Sequence, residues 1–412
     1  MKKPLLFLFF TFALSASVNP GLLEYQKKYS LCKGKTNYQI AQCLVNGNLN
    51  YAPLRGDRSV FRTISSKKIN TALRNGTLYS MFPNTQRYNK LKTYQDHLYA
   101  IKSEYTAPRF NGNSDEDIIR MKRVFNLLQN SGLAETPERT ANFDTALRTY
   151  QSRHSLTVDG KIGRRTKETL KQSISTTILK VKKNLTWERI SRKKPSTFVR
   201  VNIPEFKMHY YENGKHVLKM RVVVGKTKMR TPVFYRKMNN IVQNPTWNVP
   251  SSIYKKEYAH LSASALKKKG LVYNASGKLY QPAGSRNALG KVKFLFPNKY
   301  SVYMHDTPAK GLFGRTTRAY SHGCIRLAKP MSLLQKLGYT YKPGKTKWTT
   351  LKKKIPVYVV YHTAWVDDKG IVKLSPDIYG YEKTMFTKPV RRAKPKHKAK
   401  RKPVYRDAIS EF

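Results

Sequence analysis

Residues 321–327 read Ser-His-Gly-Cys-Ile-Arg-Leu, and a second histidine, His305, follows the strand-like run Tyr300-Ser301-Val302-Tyr303-Met304. Cys324 is the odd one of three cysteines. A thiol nucleophile needs a base within hydrogen-bond reach and a third group to orient that base. It also needs backbone N–H groups free to hold an oxyanion. Gly323 lets the backbone approach a reacting carbonyl, and Arg326 supplies a fork for a carboxylate. Two other readings use the same residues. Two histidines and one cysteine are zinc ligands, but a closed site needs a fourth and no Cys-x-x-Cys is present. The third reading is a buried structural cysteine with incidental histidines.

Outward from this stretch the texture is β. Val199, Val201 and Ile203 alternate with Phe198, Arg200 and Asn202; Val222-Val223-Val224 ends in Gly225; Val357-Tyr358-Val359-Val360-Tyr361 is another apolar strand. Residues 251–292, rich in Lys, Ser and Gly, read as a long inserted loop over the site. Met331 to Leu337 is a short helix. The prediction is a predominantly β domain with a few helices, opening after Pro195.

Before Pro195 the period is helical. Ile118, Met121, Phe125 and Leu128 share one face, and Phe143, Leu147 and Tyr150 a second. Thr166 to Leu170 starts a third helix after the turn at Val158-Asp159-Gly160-Lys161-Ile162-Gly163. Gly112-Asn113-Ser114 reads as a linker ahead of an acidic helix start. Residues 18–110 read as mostly helical, of unknown role. Lys180 to Lys194 reads as a basic linker. Residues 383–412 read as a basic disordered tail, because Lys383 to Lys402 carries ten basic residues, no acidic ones and several prolines.

The charge is extreme: 80 Lys+Arg against 23 Asp+Glu, a formal net charge of +57. With 40% hydrophobic and 12% aromatic residues the chain still has material for real cores, which excludes a disordered polycation. The partner should be anionic. Residues 1–17 set the compartment: Lys2 and Lys3 precede an apolar run, Leu5 to Leu14, and then Ser15, Ala16 and Ser17. That is the pattern of a signal peptide cut near residues 15–17, and an uncleaved N-terminal anchor is the other reading. Export argues against nucleic acid as the normal partner, and a membrane enters only through an uncleaved signal. In an oxidising compartment Cys32 and Cys43 either close one small-loop disulfide or stay unpaired.

At this point the sequence resembles a known family. His305, then Ser321-His322-Gly323-Cys324 and Arg326, looks like the signature of the L,D-transpeptidase (YkuD-type) catalytic domain. The resemblance extends to Val224-Gly225-Lys226, Thr231-Pro232-Val233-Phe234, Asn244 to Pro250, Met304-His305-Asp306-Thr307-Pro308, Leu312-Phe313 and Arg318-Ala319-Tyr320, the pattern of a larger, periplasmic subgroup. It covers residues 196–365 and implies a β-sandwich with a few helices. Residues 114–174 are similar to a three-helix peptidoglycan-binding domain, through Ala146 to Gln151 and through Leu156 to Gly163 followed by Thr166. A plain helical spacer is the alternative there.

The resemblance also implies roles. Cys324 is the nucleophile and His305 its general base, oriented by a carbonyl near Asp306 or by the Ser321 hydroxyl. The N–H groups of Gly323 and Cys324 line the oxyanion hole. Arg326 and His322 position substrate, with a supporting hydrogen bond the expected duty of His322. Tyr320 and Trp247 are cleft-wall or core aromatics. No metal or organic cofactor is required. The implied reaction is acyl transfer on peptidoglycan: the thiolate attacks the carbonyl of residue three of a stem tetrapeptide, D-Ala leaves, and an amine of another stem resolves the thioester as a 3–3 cross-link. Carbapenems are expected to acylate the same cysteine. Water as acceptor would make an L,D-carboxypeptidase instead, and a protein lysine an envelope-protein attachment enzyme.

Overall fold

The computed structural model describes residues 18–110 and 114–386. The signal-peptide reading of residues 1–17, the glycine of the linker at Gly112 and the tail beyond residue 386 lie outside them. No helix among the described residues is long and apolar enough to cross a membrane.

Among the described residues, eight α-helices precede the β domain: α1 Pro20–Tyr29, α2 Asn37–Asn46, α3 Ser66–Arg74, α4 Gln86–Ala100, α5 Asp115–Gln129, α6 Ala141–Arg153, α7 Arg164–Leu170 and α8 Ile174–Ile190. Cys32 and Cys43 are joined in a disulfide that ties α2 to the chain before it. Residues 18–110 and 114–174 are not two separate cores. Ile40, Leu44, Tyr88 and Leu91 pack in one cluster with Phe125, Phe143, Leu147 and Tyr150.

Helix α8 corrects the basic-linker reading of Lys180 to Lys194. Ile174, Ile178, Val181 and Leu185 recur at helical spacing and are buried in that cluster, and interspersed lysines hide the stripe in the sequence. Further along α8, Trp187 and Ile190 belong to the core of the β domain, so one helix joins both cores. Arg189 is fully buried; its guanidinium donates to the Leu44 and Tyr29 carbonyls and to Thr186 Oγ1.

The predicted turn after α6 has a physical basis. The Gln151 side chain donates to Asp159 Oδ1 and the Lys161 carbonyl, and accepts the N–H groups of Asp159 and Gly160. Gly160 sits at φ +71°, a conformation that favours glycine.

The β domain contains β1 Phe198–Asn202, β2 Lys207–Glu212, β3 Lys215–Gly225, β4 Phe234–Gln243, β5 Trp247–Asn248, β6 Val272–Tyr273, β7 Leu279–Gln281, β8 Val292–Leu295, β9 Met304–His305, β10 Ala319–Ser321, β11 Ile325–Leu327 and β12 Lys347–Val360. The strand order is β10-β3-β11-β9-β8-β4-β12-β1-β2, and β2 pairs back onto β3. The expected sandwich is therefore a sheet closed on itself. The length of β3 makes closure possible: its first part pairs with β2, and Val222–Val223 pair with β11. Closure leaves no free edge between these strands. Val199, Val201, Val222, Val224, Met304, Ile325 and Val357 fill the interior.

Residues 251–292 are folded, which corrects the loop expectation. A short α9 (Ser251–Ile253) runs into a π turn at Tyr254–Tyr258, α10 spans Ala263–Lys268, and β5, β7 and β6 form a small sheet. Leu266, Leu271 and Leu279 make a separate core, covered by Trp247, Tyr254 and Tyr258. Its apolar residues are isolated in sequence, so no period announces it.

Helix α11 is Pro330–Lys336. Beyond β12, β13 Ala364–Val366 and β14 Val372–Leu374 form a hairpin whose Ala364 and Leu374 enter the helical core. The chain then returns through α12, Tyr381–Thr384, and buries Tyr379, Tyr381 and Met385 in the β core. The disordered-tail reading from residue 383 is thus corrected through residue 386: burial of Met385 holds the first residues of that stretch.

Candidate active site

Cys324 stands on the turn between β10 and β11, and His305 ends β9. β9 and β11 are parallel neighbours, with Ile325 opposite Met304 and Arg326 opposite His305. Sheet closure thus brings two segments far apart in the chain into adjacent strands.

The nucleophile turn is held from within. Ser321 Oγ donates to the Cys324 carbonyl at 2.6 Å and accepts the Gly323 N–H at 3.1 Å. Gly323 has φ +127°, which an L side chain rarely adopts. From outside, Thr231 Oγ1 donates to the Gly323 carbonyl at 2.8 Å and accepts the Gly225 N–H at 2.8 Å. The Tyr379 hydroxyl donates to the Gly225 carbonyl and accepts the Thr231 N–H.

His305 is buried, and its Nδ1–H donates to the Asp306 carbonyl at 2.5 Å. That bond fixes the tautomer with the Nε2 lone pair free, as a base requires. The Asp306 carboxylate accepts the Lys291 N–H at 2.9 Å and pairs with Lys310. A Cβ at Gly290 would stand 2.4 Å from Asp306 Oδ2, so the close approach there requires glycine.

Burial, then the charge of Arg326, holds the His305 imidazolium down to about 3. Burial pushes the Cys324 thiol up, against hydrogen bonding from Tyr303 and the charges of Arg326 and Lys293. Both shifts favour the uncharged forms, a thiol and a neutral imidazole. The thiol also lies 3.8 Å from the Ser301 carbonyl. Arg326 is largely enclosed; burial lowers its pKa, and its Nε has no partner. A buried guanidinium with an unused N–H favours an anionic guest.

Residues 196–359 match the model of the L,D-transpeptidase catalytic domain, YkuD. This segment belongs to the YkuD family. A Haemophilus influenzae protein provisionally named an L,D-transpeptidase is 35% identical over 217 residues, 44% of this chain and 44% of that one, so the match spans less than half of the relative. Among solved structures, an L,D-transpeptidase from Mycobacterium smegmatis aligns at 16% identity over 40% of this chain and 58% of that one, with a TM-score of 0.24. The ertapenem-acylated catalytic domain of an E. faecium L,D-transpeptidase aligns at 18% identity over 41% of this chain and 100% of that one, with a TM-score of 0.25.

In the YkuD domain, Cys324, Ser321, Gly323, Arg326 and His305 come together as two neighbouring strand ends. One expectation changes and two open alternatives are decided. The orienter of His305 is the Asp306 carbonyl, and the Ser321 hydroxyl serves the nucleophile turn instead. The Gly323 N–H is committed to Ser321, so it is not a free oxyanion donor. Tyr320 is 45% exposed and therefore not a core residue, while Trp247 packs on the small core of the insertion. His322 reaches across to that insertion: its Nε2 lies 2.5 Å from Glu257 Oε1.

Thr231, Tyr379, Tyr303, Lys293 and Glu257 were not legible as site residues. Thr231 lies in a quoted family motif, but nothing in the motif says that its hydroxyl reaches the nucleophile turn. Lys293 and Tyr303 approach the thiol through strand register alone, Lys293 lying opposite His305.

Proposed function

We propose that this chain is a peptidoglycan L,D-transpeptidase that forms 3–3 cross-links through a Cys324 thioester. The observation that carries the reading is the His305–Cys324 arrangement: a buried base with its Nδ1–H committed and Nε2 free, one strand away from the sole unpaired cysteine of the chain.

In this reading Nε2 of His305 takes the thiol proton as sulfur attacks the stem carbonyl. The neutral resting pair makes this general-base catalysis rather than the action of a standing thiolate. The tetrahedral intermediate collapses with loss of D-Ala, which leaves with the proton from His305. The second stem's amine then attacks the thioester, His305 takes a proton from it, and the C–S bond breaks with that proton passed to the leaving Cys324 sulfur. Arg326 holds a stem carboxylate. The helices α5–α7 retain the enzyme on the polymer and raise the local stem concentration, and the +57 charge favours the same carboxylate-bearing wall. The segment from α9 to β7 excludes water from the thioester. The export reading places this reaction in the periplasm.

Incubation of the purified chain with disaccharide-tetrapeptides, read by mass, tests the proposal. Cross-linked dimers that require both Cys324 and His305 support it. Tripeptides alone would make the protein an L,D-carboxypeptidase, and neither product would overturn both readings.

A further inference from the structure

A second group of ligating side chains lies outside the catalytic site. His209 on β2 and His216 on β3 face each other, with Nδ1 of His209 3.1 Å from Nε2 of His216. The β2–β3 register shifts here: Tyr210 pairs with Leu218 but Tyr211 pairs with His216. Val217 is the extra residue, and such a bulge re-aims the side chains beside it. Asp368, in the turn of the β13–β14 hairpin, places Oδ1 3.2 Å from His216 Nδ1. One ligand atom from each of the three residues lies within 4.8 Å of the others. Behind them, His209 Nε2 donates to Glu205 Oε1 at 2.8 Å, and the Glu205 side chain is completely buried.

We infer that His209, His216 and Asp368 bind a divalent cation of the zinc class. Bonds of about 2.0–2.1 Å at tetrahedral angles separate two imidazole nitrogens by roughly 3.3 Å, close to the spacing here. The bond to Glu205 leaves His209 Nδ1 as an acceptor, so the 3.1 Å contact is a hydrogen bond donated by His216 Nε2–H, and the ion must replace that proton. A buried carboxylate on the far nitrogen of a ligating histidine is the usual outer partner of such a site and raises its basicity. Two imidazoles and one carboxylate favour zinc, copper or nickel over magnesium or calcium. A cavity of about 580 Å³ borders the cluster through Glu205, Lys219 and Asp368. Lys219 pairs with Asp368 and is the competing cation: the carboxylate must turn from its ammonium onto the ion. None of these residues belongs to the Cys324–His305 machinery, so the inference is independent of the proposed reaction.

The test uses the full chain without an affinity tag, with Cys324→Ala so that the catalytic thiol binds no metal. After chelation, zinc is titrated by equilibrium dialysis, and cobalt(II) is followed by its visible absorption. One equivalent of zinc is expected, with a tetrahedral cobalt spectrum. His216→Ala should weaken binding at least 100-fold. Glu205→Gln, acting through His209, should weaken it 10- to 100-fold. Lys219→Ala should tighten it. Asp368→Asn, on the exposed hairpin turn, gives an independent readout if His216→Ala does not fold, with an expected loss of about tenfold. No zinc uptake by the parent chain, or uptake and a cobalt spectrum unchanged by His216→Ala and Asp368→Asn, would overturn the inference.

Discussion

His322 and Glu257 are joined by a 2.5 Å contact between Nε2 and Oε1, which fastens the residue two before the nucleophile to the π turn of the insertion. Lys226 stands 4.0 Å from the same carboxylate. The insertion thus has both a small core of its own and a polar tether to the turn that carries Cys324.

If that tether keeps water from the thioester, Glu257→Ala should raise the ratio of hydrolysed to cross-linked product severalfold while the small core keeps the insertion folded. Product masses from the muropeptide assay give the ratio. An unchanged ratio would remove the insertion from acceptor selection.

Thr231 holds the nucleophile turn through two bonds that no other side chain replaces. Thr231→Val keeps the shape and leaves the Gly225 N–H and the Gly323 carbonyl without their partner. At about 1–3 kcal/mol for each unsatisfied buried group, the loss should total roughly 2–6 kcal/mol in urea denaturation. Displacement of Cys324 should slow β-lactam acylation about 10- to 100-fold, since misplacement on the order of 1 Å costs that much.

The resting state of Cys324 can be read by alkylation. Burial raises its pKa, so iodoacetamide labelling should climb with pH to a midpoint above the ~8.5 of a free thiol. A midpoint near 6 would instead mean a standing thiolate–imidazolium pair and would contradict the neutral resting pair.

Two buried histidines, His305 and His362, and the half-buried His154 make the fold acid-sensitive. Burial, the first cause in each, holds His154 at about 4, His305 at about 3 and His362 at about 4. The unfolded chain takes up these protons near 6.5, whereas the folded chain does not until the pH is far lower. The stabilisation is therefore complete above about pH 6.5 and is lost as the pH falls toward 4. Each group contributes about 1.4 kcal/mol per pH unit in that window. Urea midpoints should fall steeply between pH 6.5 and 4.5, and His154→Gln should flatten the slope.

The local chemistry was legible because it depends on neighbours in sequence. The Ser-His-Gly-Cys turn needs glycine at a positive φ and a hydroxyl two residues before it, and both are written within four residues. The period of α5 and α6 was readable for the same reason: Phe125, Phe143 and Tyr150 repeat at helical spacing. Helix α8 was not, because lysines sit between its apolar positions and its stripe faces two different cores. The insertion was missed because Leu266, Leu271 and Leu279 gain their partners from one another and from scattered residues such as Trp247, Tyr254 and Tyr258.

From sequence alone came Cys324 and His305 as candidate nucleophile and base, the oxidised pair as one of two options, and a β domain after Pro195. Tertiary structure decided which carbonyl orients His305, which donor is already used at Gly323, and that Ser321 serves the turn rather than the base. It alone could place Thr231, Tyr379 and Lys293 around the turn, and His216 beside His209 and Asp368. The reason is physical: a short-range pattern records what one residue does to the next few, whereas strand closure and register set which distant groups share a hydrogen bond, a field or an ion.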